Sequence, residues 1–154
     1  MRTKPLRIYV AGPYTAETGA GKVSNVKRAI DVGIALFKKG HIPFIPHLTH
    51  FVDLRAKEKG IPIAWEEYIR WDLGWLSLCD AVIYLGSSPG ADLELASAQR
   101  LGKRVFHSLD DVPTARAARD GRDGSKSRRP GQRSLRPRRS DPATARPRPA
   151  APAG

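Results

Sequence analysis

AVIYLGSSPGADLELASAQRLGKRVFH, residues 81–107, reads as strand, helix, strand. Ala81 to Leu85 is a short apolar, β-rich run followed by turn residues, which suits a buried strand. In Ser88-Pro89 the hydroxyl is a good helix N-cap and the proline fits the first helical position. The helix it opens ends at Gly102, and Arg104 to His107 forms the next strand. Upstream, Leu6 to Ala11 is another buried strand, stopped by Gly12-Pro13. Val23 to Lys39 carries apolar positions at Val26, Ala29, Ile30, Gly33, Ile34 and Phe37, then Gly40, and reads as a helix. Ile42 to Ile45 is a further strand, which Pro43 assigns to an edge. Residues 46–62 read as a long loop of functional character, and Pro62 as the start of a helix running past Asp72. Strands alternating with helices predict a mostly parallel sheet with helices on both faces. Ligands of such sheets bind beyond the carboxyl ends of the strands. Tyr14, His47, Ser88 and Glu94 all fall just past strand ends.

Two carboxylates break this pattern. Advancing Trp65 to Cys79 by about 100° per residue places Trp65, Tyr68, Ile69, Leu76 and Cys79 on one stripe, with Asp72 at its centre. Glu94 shares a face with Ala91, Ala98 and Leu101, while Asp92, Gln99 and Arg100 point away. An unpaired buried charge costs several kcal/mol. A cap, a backbone amide or a basic partner accounts for one such residue. Two of them on successive helices flanking one strand predict a shared site, because perturbed carboxylates gather at functional sites.

The 154 residues divide unevenly in composition. Residues 111–154 hold 12 Lys and Arg against 4 Asp and Glu, which is most of the formal charge of +12. That stretch has no aromatic residue, and Val112 and Leu135 are its only large aliphatics. It cannot bury enough apolar surface to offset its chain entropy and reads as a disordered Arg/Pro/Ala-rich tail. Residues 1–110 are then the single folded domain. The tail's charge suits nucleic acid, but with nothing to stack on bases it reads as a solvated extension. Cys79 is the only cysteine, so no disulfide framework is expected. No apolar run approaches a membrane span, and Met1 to Arg7 enters a strand without a secretory h-region. A soluble cytoplasmic protein is the expectation.

Several motifs are incomplete. Gly86-Ser87-Ser88-Pro89-Gly90 fits G-x-S-x-G between a strand and a helix, the place of a hydrolase nucleophile. Pro89, however, has no N–H for an oxyanion hole, and only His107 follows. Ser88 reads instead as a cap or a phosphate-binding hydroxyl. Gly19-Ala20-Gly21-Lys22 is half a P-loop, with Ala16 and Val23 where glycine and Ser/Thr belong, and suggests a flexible lid. His47, His50 and Asp53 have loosely metal-like spacing without a further ligand, so no metal is expected and a structural or substrate-facing role is favoured. Trp65, Tyr68, Trp71 and Trp75 read as core or interface.

Ile8-Tyr9-Val10-Ala11-Gly12-Pro13 resembles the opening strand of the nucleoside 2-deoxyribosyltransferase superfamily. Asp72-Leu73-Gly74-Trp75-Leu76 with Cys79-Asp80-Ala81-Val82 resembles its middle helix and third strand. Ser88-Pro89-Gly90-Ala91-Asp92-Leu93-Glu94-Leu95, then Ala98 and Gly102-Lys103, resembles its catalytic-glutamate helix. Together these span residues 6–107. The resemblance implies a flavodoxin-like (Rossmann-like) three-layer domain with a mostly parallel sheet of four to five strands. Its members exchange bases on deoxyribose or hydrolyse nucleoside 5′-monophosphates, and a similar bacterial and phage branch has no assigned activity. By the resemblance Glu94 would be the nucleophile, Asp72 would hold a sugar hydroxyl or manage protons, and Tyr9 would orient Glu94. Gly12, Pro13, Tyr14, His47, Ser88 and Gly90 would bind substrate, with no cofactor.

Ser88 stands where the transferases carry aspartate and the phosphate-using hydrolases carry serine. Ala96 replaces the usual glycine, and the tail has no counterpart of the segment that completes some family sites. These features favour cleavage of the N-glycosidic bond of a (deoxy)nucleoside 5′-monophosphate, with water as acceptor. Base exchange and a non-catalytic nucleotide-binding module are the alternatives. By analogy a homodimer is expected, with Trp71 and Trp75 available for its interface.

Overall fold

Ile8-Tyr9-Val10-Ala11 and Ala81-Val82-Ile83 are apolar without interruption, as strands must be when both faces of a sheet are covered. A computed structural model describes residues 3–116 of the protein. The elements are β1 (Arg7–Ala11), α1 (Gly19–Lys38), β2 (Ile42–Phe44), a 3₁₀ turn (Pro46–Leu48), α2 (Thr49–Glu58), α3 (Trp65–Leu78), β3 (Ala81–Tyr84), α4 (Pro89–Arg100) and β4 (Arg104–Phe106). The sheet is entirely parallel in the order β2-β1-β3-β4. Side-chain alternation splits its apolar residues between two layers. Ile8, Val10, Ala81 and Ile83 pack with Ala29 and Leu36 of α1. Tyr9, Ala11 and Val82 pack with Leu76 of α3 and Ala98 of α4. The result is the expected three-layer, Rossmann-like α/β fold.

β2 lies on an edge, where the missing N–H of Pro43 leaves no ladder bond broken. α1 stops at Gly40, whose φ of +86° only glycine adopts without strain. The His41 N–H closes that end on the Leu36 carbonyl at 3.1 Å. α1 also approaches the sheet closely at Gly33, where a Cβ would stand 2.2 Å from Ile45 Cδ1 and 2.8 Å from Cγ1. Gly33→Val is therefore expected to destabilise the fold by roughly 1–3 kcal/mol through overpacking, read as a lower urea midpoint at unchanged slope.

Several boundaries differ from expectation. Gly19–Lys22 is the first turn of α1, with the Thr18 Oγ1 accepting from the Gly21 N–H at 3.0 Å, so it is not a lid. The cap sits before the glycines, and helix propensity alone gives no reason to start there. Residues 46–62 are not one loop: α2 occupies 49–58 yet buries none of its residues. A helix without a core-facing stripe leaves no periodic signal, and the ion pairs of this one among the described residues are the local Asp53–Lys57 and Arg55–Glu58. α3 begins at Trp65 rather than Pro62, where the Ala64 N–H donates to Glu67 Oε2 at 2.9 Å. Leu101 is 47% exposed instead of sharing the Glu94 face, because α4 ends before it.

The folded segment also passes the expected boundary at 110. Val112 is 1% exposed and belongs to the core under α1. Lys39 Nζ donates to the Leu109 and Val112 carbonyls at 2.5 and 2.8 Å. Buried His41 accepts from the Leu6 N–H through Nδ1 at 3.2 Å and so turns its other nitrogen, Nε2, as donor to the Pro113 carbonyl at 2.6 Å. The expected disorder of the tail, from 117 onward, falls outside the described residues. No helix among the described residues is long and apolar enough to cross a membrane.

Candidate active site

The order β2-β1-β3 reverses direction between β1 and β3, and open α/β sheets place their ligand crevice at such a point. A cleft of about 250 Å³ lies there. Gly12 and Tyr14 reach it from the end of β1, Pro46 and His47 from the end of β2, and Ser88, Gly90 and Glu94 from the β3–α4 connection and α4. α3 adds Tyr68, Ile69 and Asp72, and α2 adds Thr49, Asp53 and Lys57.

Glu94 is 5% and Asp72 7% exposed, so both carboxyls are withdrawn from water. Burial is the main cause that lifts Glu94 from 4.5 to about 8; the neighbouring Asp72 adds to the rise and the Tyr9 hydrogen bond opposes it. Burial alone lifts Asp72 from 3.8 to about 7. Tyr9 Oη donates to Glu94 Oε1 at 2.7 Å. Its ring is fully buried and stacks on Phe44 at 5.6 Å between centroids, so the donor cannot swing away. Burial and the Glu94 charge keep the Tyr9 phenol well above its ordinary pKa, hence protonated. Tyr9 therefore stands behind Glu94 rather than on the cleft wall.

His47 is held differently. Its Nε2 lies 3.0 Å from the Pro13 carbonyl, an acceptor, so Nε2 carries the proton and Nδ1 is a bare lone pair. Burial lowers the His47 pKa, which keeps the ring neutral. Pro13 thus orients His47 instead of lining the cleft. Tyr14 Oη pairs with His50 Nδ1 at 3.0 Å, and Lys22 Nζ sits 5.1 Å from the centroid of the Tyr14 ring. Ser88 Oγ caps α4 by accepting from the Ala91 N–H at 3.2 Å, and its own proton remains free to donate. A Cβ at Gly12 would press Leu85 Cβ at 3.0 Å, so the turn after β1 admits no side chain without a shift.

Three of the four buried side-chain polar atoms without a partner in the described residues belong to this cleft: Asp72 Oδ1, His47 Nδ1 and Tyr68 Oη. An unsatisfied buried polar atom costs about 1–3 kcal/mol. Three around one concavity mark a surface shaped for the polar groups of a ligand.

Of the residues expected at the site, Gly12, Tyr14, His47, Asp72, Ser88, Gly90 and Glu94 line the cleft, and Tyr9 and Pro13 back it. Lys22 and Lys57 were not expected there. Thr49, Asp53 and Lys57 recur every fourth residue, the spacing of one helical face, and that signal was open to reading once 49–58 is taken as a helix. His47, His50 and Asp53 do not converge as ligands: among the described residues no three His, Cys, Asp or Glu are placed to hold a metal. Trp65 and Tyr68 meet the cleft rather than the core.

The fold and cleft define a Rossmann-like α/β domain with a paired-carboxyl pocket at its switch point. The chain belongs to the family DUF7768, a domain of unknown function, which matches residues 6–108. No curated protein matches it.

Proposed function

We propose that the protein cleaves the N-glycosidic bond of a (deoxy)nucleoside 5′-monophosphate through a glycosyl–Glu94 intermediate. The observation that carries this reading is the buried pair Glu94 and Asp72, with Tyr9 Oη fixed 2.7 Å from Glu94 Oε1. Cleavage passes through an oxocarbenium-like transition state, which a carboxylate beside the anomeric carbon stabilises. Glu94 acts in its ionised form, which burial disfavours and the Tyr9 hydrogen bond favours, so the active state is a minor tautomer of the carboxyl pair. As C1′ bonds to a Glu94 oxygen, the C1′–N electron pair leaves with the base, which takes up a proton. A protonated Asp72 supplies it, since burial keeps that carboxyl neutral up to about pH 7. Water then attacks C1′ of the glycosyl ester as it gives a proton to the ionised Asp72, which releases the sugar phosphate and restores both carboxyls.

The phosphate is assigned to the rim formed by Ser88, the Gly90 N–H at the start of α4, and Lys22. Ser88→Ala removes both a cap and a phosphate donor. It is expected to cost about 1 kcal/mol of stability and to weaken monophosphate binding roughly tenfold while leaving the unphosphorylated nucleoside unaffected. Melting curves and calorimetry of the two ligands check it.

Chromatography for free base, after incubation with ribo- and deoxyribonucleoside monophosphates, tests the proposal. Release by the wild type and not by Glu94→Gln is expected. A new nucleoside formed faster than free sugar phosphate when an acceptor base is added would make the enzyme a transferase. No release and no exchange with any monophosphate would overturn catalysis.

A further inference from the structure

The cleft residues from α2 and α3 include a set of groups that bond cleavage does not use. Asp53 and Lys57 face the cleft from one side of α2, and Lys57 Nζ lies 2.8 Å from Asp53 Oδ2. Asp53 is well shielded, at 17% side-chain exposure, whereas Lys57 is 64% exposed. Asp53 Oδ1 has no hydrogen-bond partner among the described residues. Tyr68 Oη, on the adjoining face of α3, is buried and equally unpartnered. Burial first, then the Asp53 charge, raises the pKa of both Tyr68 and Tyr14, and all three side chains line the same cleft.

An ion pair of this kind could be a mere i, i+4 helix contact. Its position on the cleft wall beside an orphaned hydroxyl argues for a ligand. With the phosphate assigned to the start of α4 and C1′ to Glu94 and Asp72, the polar groups that α2 and α3 add to the cleft are left for the base. A carboxylate flanked by an ammonium presents two acceptors and then a donor. Guanine presents the complement along one edge: the 2-amino and N1 protons as donors and O6 as acceptor. Hypoxanthine lacks the amino donor. Adenine, cytosine and uracil do not place two N–H donors side by side next to a carbonyl.

We propose that Asp53, Lys57 and Tyr68 form a base-recognition subsite that selects guanine, a step that rests on the nucleotide reading of the cleft. The Asp53 carboxylate accepts from the guanine N1 and 2-amino groups, Lys57 donates to O6, and the Tyr68 hydroxyl gains a partner. Discrimination comes from leaving a shielded carboxylate oxygen unpaired when the amino group is absent.

The test is calorimetric binding of GMP, IMP, AMP, CMP and UMP, in ribo and deoxy forms, to the full-length Glu94→Gln protein, in which turnover does not intervene. GMP is expected to bind roughly ten- to a hundredfold more tightly than IMP, the loss of one charge-assisted hydrogen bond. Adding Asp53→Ala should bring the GMP/IMP ratio to about one, and Tyr68→Phe should weaken GMP. Alanine favours a helix, and α2 contributes no buried residue to the core, so folding survives. Equal binding of GMP and IMP, or a ratio that persists without Asp53, would overturn the subsite while leaving bond cleavage untouched. Selective GMP binding with no base release by the wild type would uphold the subsite and sink the cleavage reading. Absence of binding to every nucleotide would remove both.

Discussion

Glu94→Gln is expected to lower turnover at least about 10³-fold and, above pH 8, to make the protein more stable. The first effect follows from chemistry: an amide oxygen cannot form the ester that splits glycosidic cleavage into two steps. The second follows from burial. Glu94 has a folded pKa of about 8 against 4.5 in the open, so the fold favours its neutral form. That contribution is complete below about pH 4.5 and is lost as pH rises through about 8. Glutamine never ionises and keeps an oxygen for the Tyr9 hydroxyl, so the variant escapes the loss. A gain of roughly 2–4 kcal/mol at pH 8–9 is expected. Urea denaturation of both proteins at pH 5 and pH 9 reads it directly. Equal stability at pH 9 would mean that Glu94 is not held neutral by burial, and retained turnover would exclude it as nucleophile.

The second large effect is a narrow, bell-shaped pH dependence of kcat/KM. The reaction uses ionised Glu94 with protonated Asp72, which is the minor tautomer of the singly protonated pair because Glu94 has the higher pKa, so only a fraction of that pair is active. The pair titrates with values of about 7 and about 8, so the rate should peak between them. Below the window Glu94 is also protonated and the nucleophile is lost. Above it Asp72 is ionised and the acid is lost. Asp72→Asn should abolish the alkaline limb and lower the rate roughly 10²–10⁴-fold. A profile flat from pH 6 to 9 would contradict this assignment of acid and nucleophile.

The same feature made the site legible before any coordinates. A carboxylate at the centre of an apolar helical stripe conflicts with folding and therefore announces itself. Asp72 and Glu94 both did so, and both line the cleft. Ser88 was legible because a cap followed by proline has a local signature. α2 was not, because it buries nothing and so has no apolar period, and the contribution of Lys57 went unread with it. Residues 111–116 were hidden for the opposite reason. Their composition matches the tail, yet Lys39 holds the Val112 carbonyl and His41 the Pro113 carbonyl, each across more than seventy positions of the chain.

Local sequence determined what depends on nearest neighbours: the continuous apolar strands, the existence of α1, α3 and α4, the glycine stop at Gly40, and the alternation that makes a parallel sheet, although in α1 Leu36 is buried where Ile34 and Phe37 were expected. These follow from backbone sterics and from burying apolar faces, which act within a few residues. Tertiary structure alone decided the strand order, and with it which loops share the switch-point cleft. It alone set the Tyr9 hydroxyl against Glu94 across 85 residues of chain. It also withdrew both carboxyls from water, and that desolvation sets their pKa values. Such properties belong to the packed arrangement of several segments, because hydrogen bonds and desolvation depend on distance in space rather than on position along the chain.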